Sequence, residues 1–296
     1  MKFRLVSILL IFLSISHILF AQDDDVIKVD SSLVVLNATI TDANGKPVRN
    51  LTQSQFKILE EGKEQTISFF ETEDTPFAAV ILIDTSGSME SRVSMARSAA
   101  INFLDGLRVD DQVAIYNFDT KVSLIQEFSN SRDVAPNIFE LKAYGYTVLN
   151  DAVYQAAQEL SNRAEKRKAI IVLSDGADTK SGKSADKALK AALAAHATIY
   201  TVDMSGLETG GRDRMQNQGV LKNFAEKSGG KFIPTAGGVA MREAFKNIVE
   251  ELGVQYTLGF QPQNTAKDGK WRAIELQVAK PNLNIRTRKG YNSAKQ

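Results

Sequence analysis

The sequence predicts a doubly wound α/β domain, with a mostly parallel, Rossmann-like sheet, inserted into a smaller all-β sandwich that the two flanks of the chain build together. Three observations predict it. Strand and helix patterns alternate from residue 77 to residue 253. The first strand of that stretch, Phe77-Ala-Ala-Val-Ile-Leu-Ile83, is apolar throughout, as a strand covered on both faces must be. Strand-like segments precede and follow the alternation, and neither set carries enough apolar residues to close a core alone.

Residues 1–21 read as a secretory signal: Lys2 and Arg4 supply a charged start, Leu5 to Phe20 an apolar run, and Ala21 a small residue before the cut. Cleavage leaves an exported protein, periplasmic or extracellular, with no membrane span. Leu19, where a smaller residue is usual, and the length of the run keep an uncleaved N-terminal anchor as the alternative. The chain has no cysteine, which excludes a lipid anchor, disulfides, thiol chemistry and sulfur-ligated zinc. Loss of Lys2 and Arg4 takes the formal net charge from +1 to −1, so charge gives no reason to expect a nucleic-acid partner.

Residues 22–76 are the first half of the sandwich. Ser32–Thr41, Phe56–Glu60 and Gln65–Glu71 have strand composition, and Asp42-Ala-Asn-Gly-Lys-Pro47 makes a turn. Residues 77–253 are the α/β domain. After the apolar strand, Val93, Ala96, Ala100, Phe103, Leu104 and Leu107 recur at helical spacing and form one buried stripe. Gln112–Phe118 is the next strand and Lys121–Phe128 an edge strand beside it. Helices are expected near 131–142, 148–163, 184–196, 217–228 and 239–252, with strands at Ala169–Leu173, Thr198–Val202 and Lys231–Pro234. Residues 254–296 return to strands, at Gln255–Phe260, Trp271–Val278 and Asn284–Arg288, and complete the sandwich. Trp271 is expected in its packing, His196 as a surface cation at a helix end, and Arg286–Lys295 as a solvated terminus.

In an open α/β sheet, ligands bind where loops leave the carboxyl ends of the strands. Three oxygen-rich loops occur there. Asp84, Ser86 and Ser88 stand on alternate residues directly after the apolar strand, around Gly87; Gly145-Tyr146-Thr147 precedes a helix; and Ser174-Asp175-Gly176 follows the strand ending at Leu173. Two carboxylates and three hydroxyls suit a hard dication, Mg²⁺ above all, with Ca²⁺ or Mn²⁺ possible.

With Asp84-x-Ser86-x-Ser88, Thr147 and Asp175 in this order, the chain resembles the von Willebrand factor type A domain family over about residues 77–253, and matches its metal ion-dependent adhesion site in residue type. The resemblance implies that Ser86, Ser88 and Thr147 touch the ion directly, that Asp84 and Asp175 often act through water, and that a carboxylate of a partner completes the coordination. The family's commoner Gly-Gly-Thr is Gly145-Tyr146-Thr147 here, a bulkier loop that bears on ligand shape.

The function expected is therefore non-enzymatic: an exported protein that binds a protein or other acidic, carboxylate-bearing ligand through Mg²⁺. Tyr146, Lys180, Lys183, Arg212 and Arg214 are candidate surroundings of the site, the two arginines in a Gly-rich loop from Met204 to Asn217. Two other readings compete. The metal could be structural while the β flanks bind or scaffold a partner. Alternatively, Gly176–Ser184 could be a phosphate-cradling loop of a nucleotide hydrolase, although it is one residue too long and Asp175 and Asp178 would repel a triphosphate. Taken singly, Ser and Asp after a strand are most often helix caps, and Asn150 and Asp151 read as capping or solvating the start of the next helix.

Overall fold

The computed structural model describes residues 33–72, 75–205, 211–234 and 238–295, so the expected signal at 1–21 lies outside the described residues. Four strands come first: β1 (Val34–Thr41), β2 (Phe56–Glu60), β3 (Lys63–Gln65) and β4 (Ile67–Glu71). The alternating stretch follows as β5 (Phe77–Asp84), α1 (Val93–Asp105), β6 (Gln112–Phe118), β7 (Val122–Ser129), α2 (Leu149–Ser161), β8 (Arg167–Ser174), α3 (Ala185–Ala194), β9 (Ala197–Asp203), α4 (Gly211–Ser228), β10 (Phe232–Pro234) and α5 (Gly238–Val254). The last strands are β11 (Tyr256–Phe260), β12 (Trp271–Val278), β13 (Asn284–Arg286) and β14 (Gly290–Asn292).

The central sheet has the order β10-β9-β8-β5-β6-β7 and is parallel except for the edge strand β7. All eight residues of β5 are buried, as its unbroken apolar run requires. Phe77, Ala79, Ile81 and Ile83 face a core shared with Ala96, Phe103 and Leu104 of α1 and with Phe245 and Leu252 of α5. Ala78, Val80 and Leu82 face the other way, onto Leu149, Val153 and Ala156 of α2 and Leu189 of α3. Strand order reverses at β5, which has β6 on one side and β8 on the other. The reversal opens a crevice at the carboxyl ends of β5 and β8, the place where such sheets bind ligands.

The flanks form two antiparallel four-stranded sheets, β13-β1-β11-β4 and β14-β12-β2-β3. Each mixes strands from both ends of the chain: Val34 of β1 is opposite Phe260 of β11, and Phe56 of β2 opposite Val278 of β12. Leu36, Ile40, Ile58, Tyr256, Leu258 and Leu276 fill the shared core between the sheets. The α/β stretch thus leaves and re-enters the sandwich between β4 and β11. Arg167, fully buried at the start of β8, closes that junction: its guanidinium donates to the carbonyls of Thr72, Thr75, Leu252 and Gln255 and to Thr257 Oγ1. Beside it, Glu251 of α5 accepts from Thr39 Oγ1 (3.1 Å) and Tyr200 Oη (2.5 Å) and pairs with Arg286.

Several local expectations are corrected. The helix expected near 131–142 is only a short 3-10 turn, Pro136–Glu140, because Pro136 offers no amide and holds Ala135 extended at ψ 134°. Helix α4 starts at Gly211, so Arg212 and Arg214 lie on its first turns and not in a loop. Trp271 is 43% exposed at the end of β12. The terminus is no solvated tail: Thr287 and Arg288 are buried, and Arg288 Nη1 donates to Leu193 O at 2.8 Å. His196 is not a surface cation. It sits at φ 59° with Nδ1 buried and unbonded, and burial, then the charges of Arg288, Lys168 and Lys166, hold its pKa well below the usual value.

Candidate metal centre

Asp84 ends β5 with no exposed surface, and the register that sets Ile83 opposite Leu173 brings it beside Ser174. Its Oδ1 accepts from Ser86 N (2.9 Å) and Ser86 Oγ (2.6 Å), and its Oδ2 from Ser174 Oγ (2.5 Å). Ser86 Oγ lies 3.2 Å from Ser88 Oγ. The alternate spacing of Asp84, Ser86 and Ser88 therefore does gather their oxygens into one bonded chain.

The second loop is built onto the first. Tyr144 N donates to Thr85 O (2.8 Å), and Gly87 N to Gly145 O (3.3 Å). Gly145 has φ 75°, and a Cβ there would overlap Thr120 Oγ1, the acceptor for Tyr146 N. Thr147 is buried; its N donates to Thr179 Oγ1 (2.9 Å), and its O accepts from Thr179 N (2.9 Å) and Lys180 N (3.0 Å). The third loop thereby joins the second, while Ser174 joins it to the first. Gly176 N donates to Ser174 Oγ, and Ala177 N to Asp175 Oδ1, both at 3.0 Å. Each loop is hydrogen-bonded to the other two. Asp84, Ser86 and Ser88 are in direct contact, and Thr147 and Asp175 stand on the loops bonded to them.

Burial pushes the Asp84 carboxyl up to about 7; the neighbouring Asp175 charge adds to this, while the bonds from Ser174 and Ser86 oppose it. Among the described residues no lysine or arginine bonds to Asp84, so its negative charge has only neutral donors and a second carboxylate for company. Neutral hydroxyls around two aspartates fit a hard dication, which would supply the missing positive charge. Among the described residues no group of three His, Cys, Asp or Glu side chains that could hold a metal ion is gathered.

The surroundings sort differently from expectation. Tyr146 is 57% exposed at the loop, with Lys180 Nζ 4.7 Å from its ring centroid. Lys183 Nζ instead lies 5.0 Å over Tyr154, along α2. Arg212 and Arg214 make no bond to the three loops among the described residues; α4 reaches them through Asn217, whose carbonyl packs on Gly176. Asp151 does not cap α2 but accepts from Gly182 N (2.9 Å) and Lys183 N (2.8 Å), and Asp178 accepts from Ser181 N (3.1 Å) and Asn150 N (2.8 Å). Of the amides that a phosphate would need, those of Ser181, Gly182 and Lys183 are given to carboxylates and those of Thr179 and Lys180 to the Thr147 carbonyl, which weighs against the nucleotide-loop alternative.

Ser174 is the site residue that sequence reasoning missed, since only the register of β8 against β5 shows that it meets Asp84. A second Asp-x-Ser at the end of β9 shows the limit of the short motif. Asp203 Oδ1 accepts from Ser205 N (2.8 Å) and Ser205 Oγ, but its Oδ2 is closed off by Gln218 Nε2 of α4 (2.7 Å).

Residues 79–177, which include all five predicted oxygen donors, match the family model of the von Willebrand factor type A domain. An uncharacterised protein from Synechocystis sp. is 28% identical over 159 residues, covering 52% of this chain; the chain spans only 36% of that relative's length. Among solved structures, three N-terminal domains of the type V pili tip protein Mfa5 from Porphyromonas gingivalis superpose over 88% of this chain and 68% of theirs, with 12% identity and a TM-score of 0.50. A von Willebrand factor type A protein from Catenulispora acidiphila covers 83% of this chain and 76% of its own, with 14% identity and a TM-score of 0.49. At these identities the likeness is one of fold.

Proposed function

We propose that this protein is an exported, non-enzymatic binding or adhesion protein that captures a carboxylate-bearing protein ligand at a Mg²⁺ site formed by Asp84, Ser86, Ser88, Thr147 and Asp175. The observation that carries the reading is Asp84: a fully buried carboxylate with no cationic partner among the described residues, at the centre of three mutually bonded oxygen-rich loops. Mg²⁺, bound there, would offer an open coordination position to an acidic group of the ligand. The chain's own part is to hold its oxygens in place beforehand: Ser174 orients Asp84, Thr179 holds the Thr147 backbone, and Gly145 lets the second loop close on the first. That a pilus tip protein is built on the same fold is in keeping with such a role. Export rests on the charged and apolar pattern of residues 1–21.

A metal-dependent pull-down tests the reading. Partner capture in Mg²⁺ should be lost in chelator and in Asp84→Ala, while thermal unfolding in Mg²⁺ changes little. Capture that survives both treatments would move binding to the β flanks. Collapse of folding in chelator would make the ion structural.

A further inference from the structure

The second loop holds two large aromatic side chains out in solvent on a backbone that cannot move freely. Tyr144 is 78% exposed and Tyr146 57%, although the chain between them is pinned on three sides. Tyr144 N is bonded to Thr85 O, Gly145 O to Gly87 N, and Tyr146 N to Thr120 Oγ1, with Gly145 in a conformation that other residues rarely adopt. Exposed aromatics on a held backbone have already lost the backbone freedom that binding otherwise removes, and a tyrosine has few rotamers left to lose, so such residues anchor protein interfaces.

Beside them stands an uncommitted positive charge. The Lys180 backbone is fixed by Thr147 O, its ammonium lies over the Tyr146 ring, and it has no carboxylate partner among the described residues. Lys183, the other lysine of that loop, is drawn away to Tyr154. Lys180 and Tyr146 are therefore the cation and ring that flank Thr147.

Resting on the proposed metal site, we infer that Tyr144, Tyr146 and Lys180 form a lip that selects an acidic protein segment presenting two carboxylates, one for the bound ion and a second for Lys180, with the tyrosine rings covering the segment between. A lone carboxylate would leave the Lys180 charge unanswered, and a nucleic acid or an anionic membrane would call for a broad basic surface that one lysine does not make.

The test uses the full chain in Mg²⁺ and fluorescent decapeptides of Gly and Ser that carry one Asp, a second Asp one to four residues further on, or Asn at both positions. At least one two-Asp peptide should bind ten-fold or more tightly than the one-Asp peptide. Lys180→Gln should erase that preference, and Tyr144→Ser with Tyr146→Ser should weaken both peptides, each with an unchanged circular dichroism spectrum. If these variants alter nothing while chelator and Asp84→Ala abolish binding, the lip is wrong and the metal reading stands. If binding ignores chelator and Asp84→Ala yet falls in Lys180→Gln, Lys180 binds acidic peptides without the ion, and both the metal reading and the two-carboxylate selection fail. Preference for an oligouronate over every peptide, or no peptide binding at millimolar concentration, overturns the proposal of a protein segment.

Discussion

Ser174 Oγ donates to Asp84 Oδ2 at 2.5 Å, so the ends of β8 and β5 are joined through the carboxylate on which the proposed site depends. The same hydroxyl accepts from Gly176 N, which fixes its orientation. A group that aims a ligand without being one commonly contributes 10- to 100-fold in affinity, so Ser174→Ala should weaken Mg²⁺ binding by roughly that factor with the fold retained. Calorimetric titration of Mg²⁺ checks it; unchanged affinity would show that Ser86 alone orients Asp84.

The raised Asp84 pKa gives a pH dependence of definite sign in the absence of metal. An unfolded aspartate has lost its proton near pH 4, whereas the folded one keeps it to about 7. Raising the pH through that window therefore removes stability from the chelated protein, by at most about 4 kcal/mol, and the loss is absent below it. Urea midpoints measured in chelator should fall between pH 4 and 7 in the wild type, and less steeply in Asp84→Asn.

His196 acts in the opposite direction. Its lowered pKa means that the unfolded chain takes up a proton near pH 6.5 that the folded one refuses, so its contribution is intact above that value and is lost as pH falls below it. Asparagine tolerates the φ of 59° at this position. Between pH 6.5 and 5, His196→Asn should lose less stability than the wild type in the same urea titrations; parallel losses would show that the histidine is protonated in the fold.

Gly145→Ala tests the pinned loop. The positive φ and the overlap with Thr120 Oγ1 should together cost about 1–3 kcal/mol and loosen Thr147. Thermal unfolding and Mg²⁺ titration should both shift; a neutral outcome would mean that the loop can rearrange without harm.

Arg167→Met tests the junction between the two parts of the chain. It leaves the carbonyls of Thr72, Thr75, Leu252 and Gln255 short of a buried donor, at a cost of roughly 3 kcal/mol or more. A fall in melting temperature with Mg²⁺ affinity preserved is the expected result, since Arg167 lies at the opposite end of β8 from Asp175.

Much of this was legible in the sequence because the strongest signals are local. An apolar run such as Phe77–Ile83 demands cover on both faces, and three oxygen-rich loops at strand ends converge once the strands are parallel neighbours. The partnership of β1 with β11 was legible for a different reason: neither flank could close a core by itself. What escaped depends on register or on tertiary neighbours. Ser174 or Asp175 could each have met Asp84, and only the pairing of β5 with β8 decides. Arg288 and His196 look like surface cations until α3 and the terminal strands close over them. The 131–142 segment has helical spacing, but Pro136 breaks it. Arg212 and Arg214 read as loop residues because Gly211 and the polar Gln216-Asn217-Gln218 weaken the helical signal at the start of α4.

The central claim, that the three loops around Asp84 hold one dication, is tested most directly by Mn²⁺ titration followed by electron paramagnetic resonance, with Mg²⁺ as competitor. One saturable site per chain is expected, displaced by Mg²⁺ and lost in both Asp84→Ala and Thr147→Ala, with circular dichroism unchanged. No saturable binding by the wild type, or equal binding by Asp84→Ala, would contradict it.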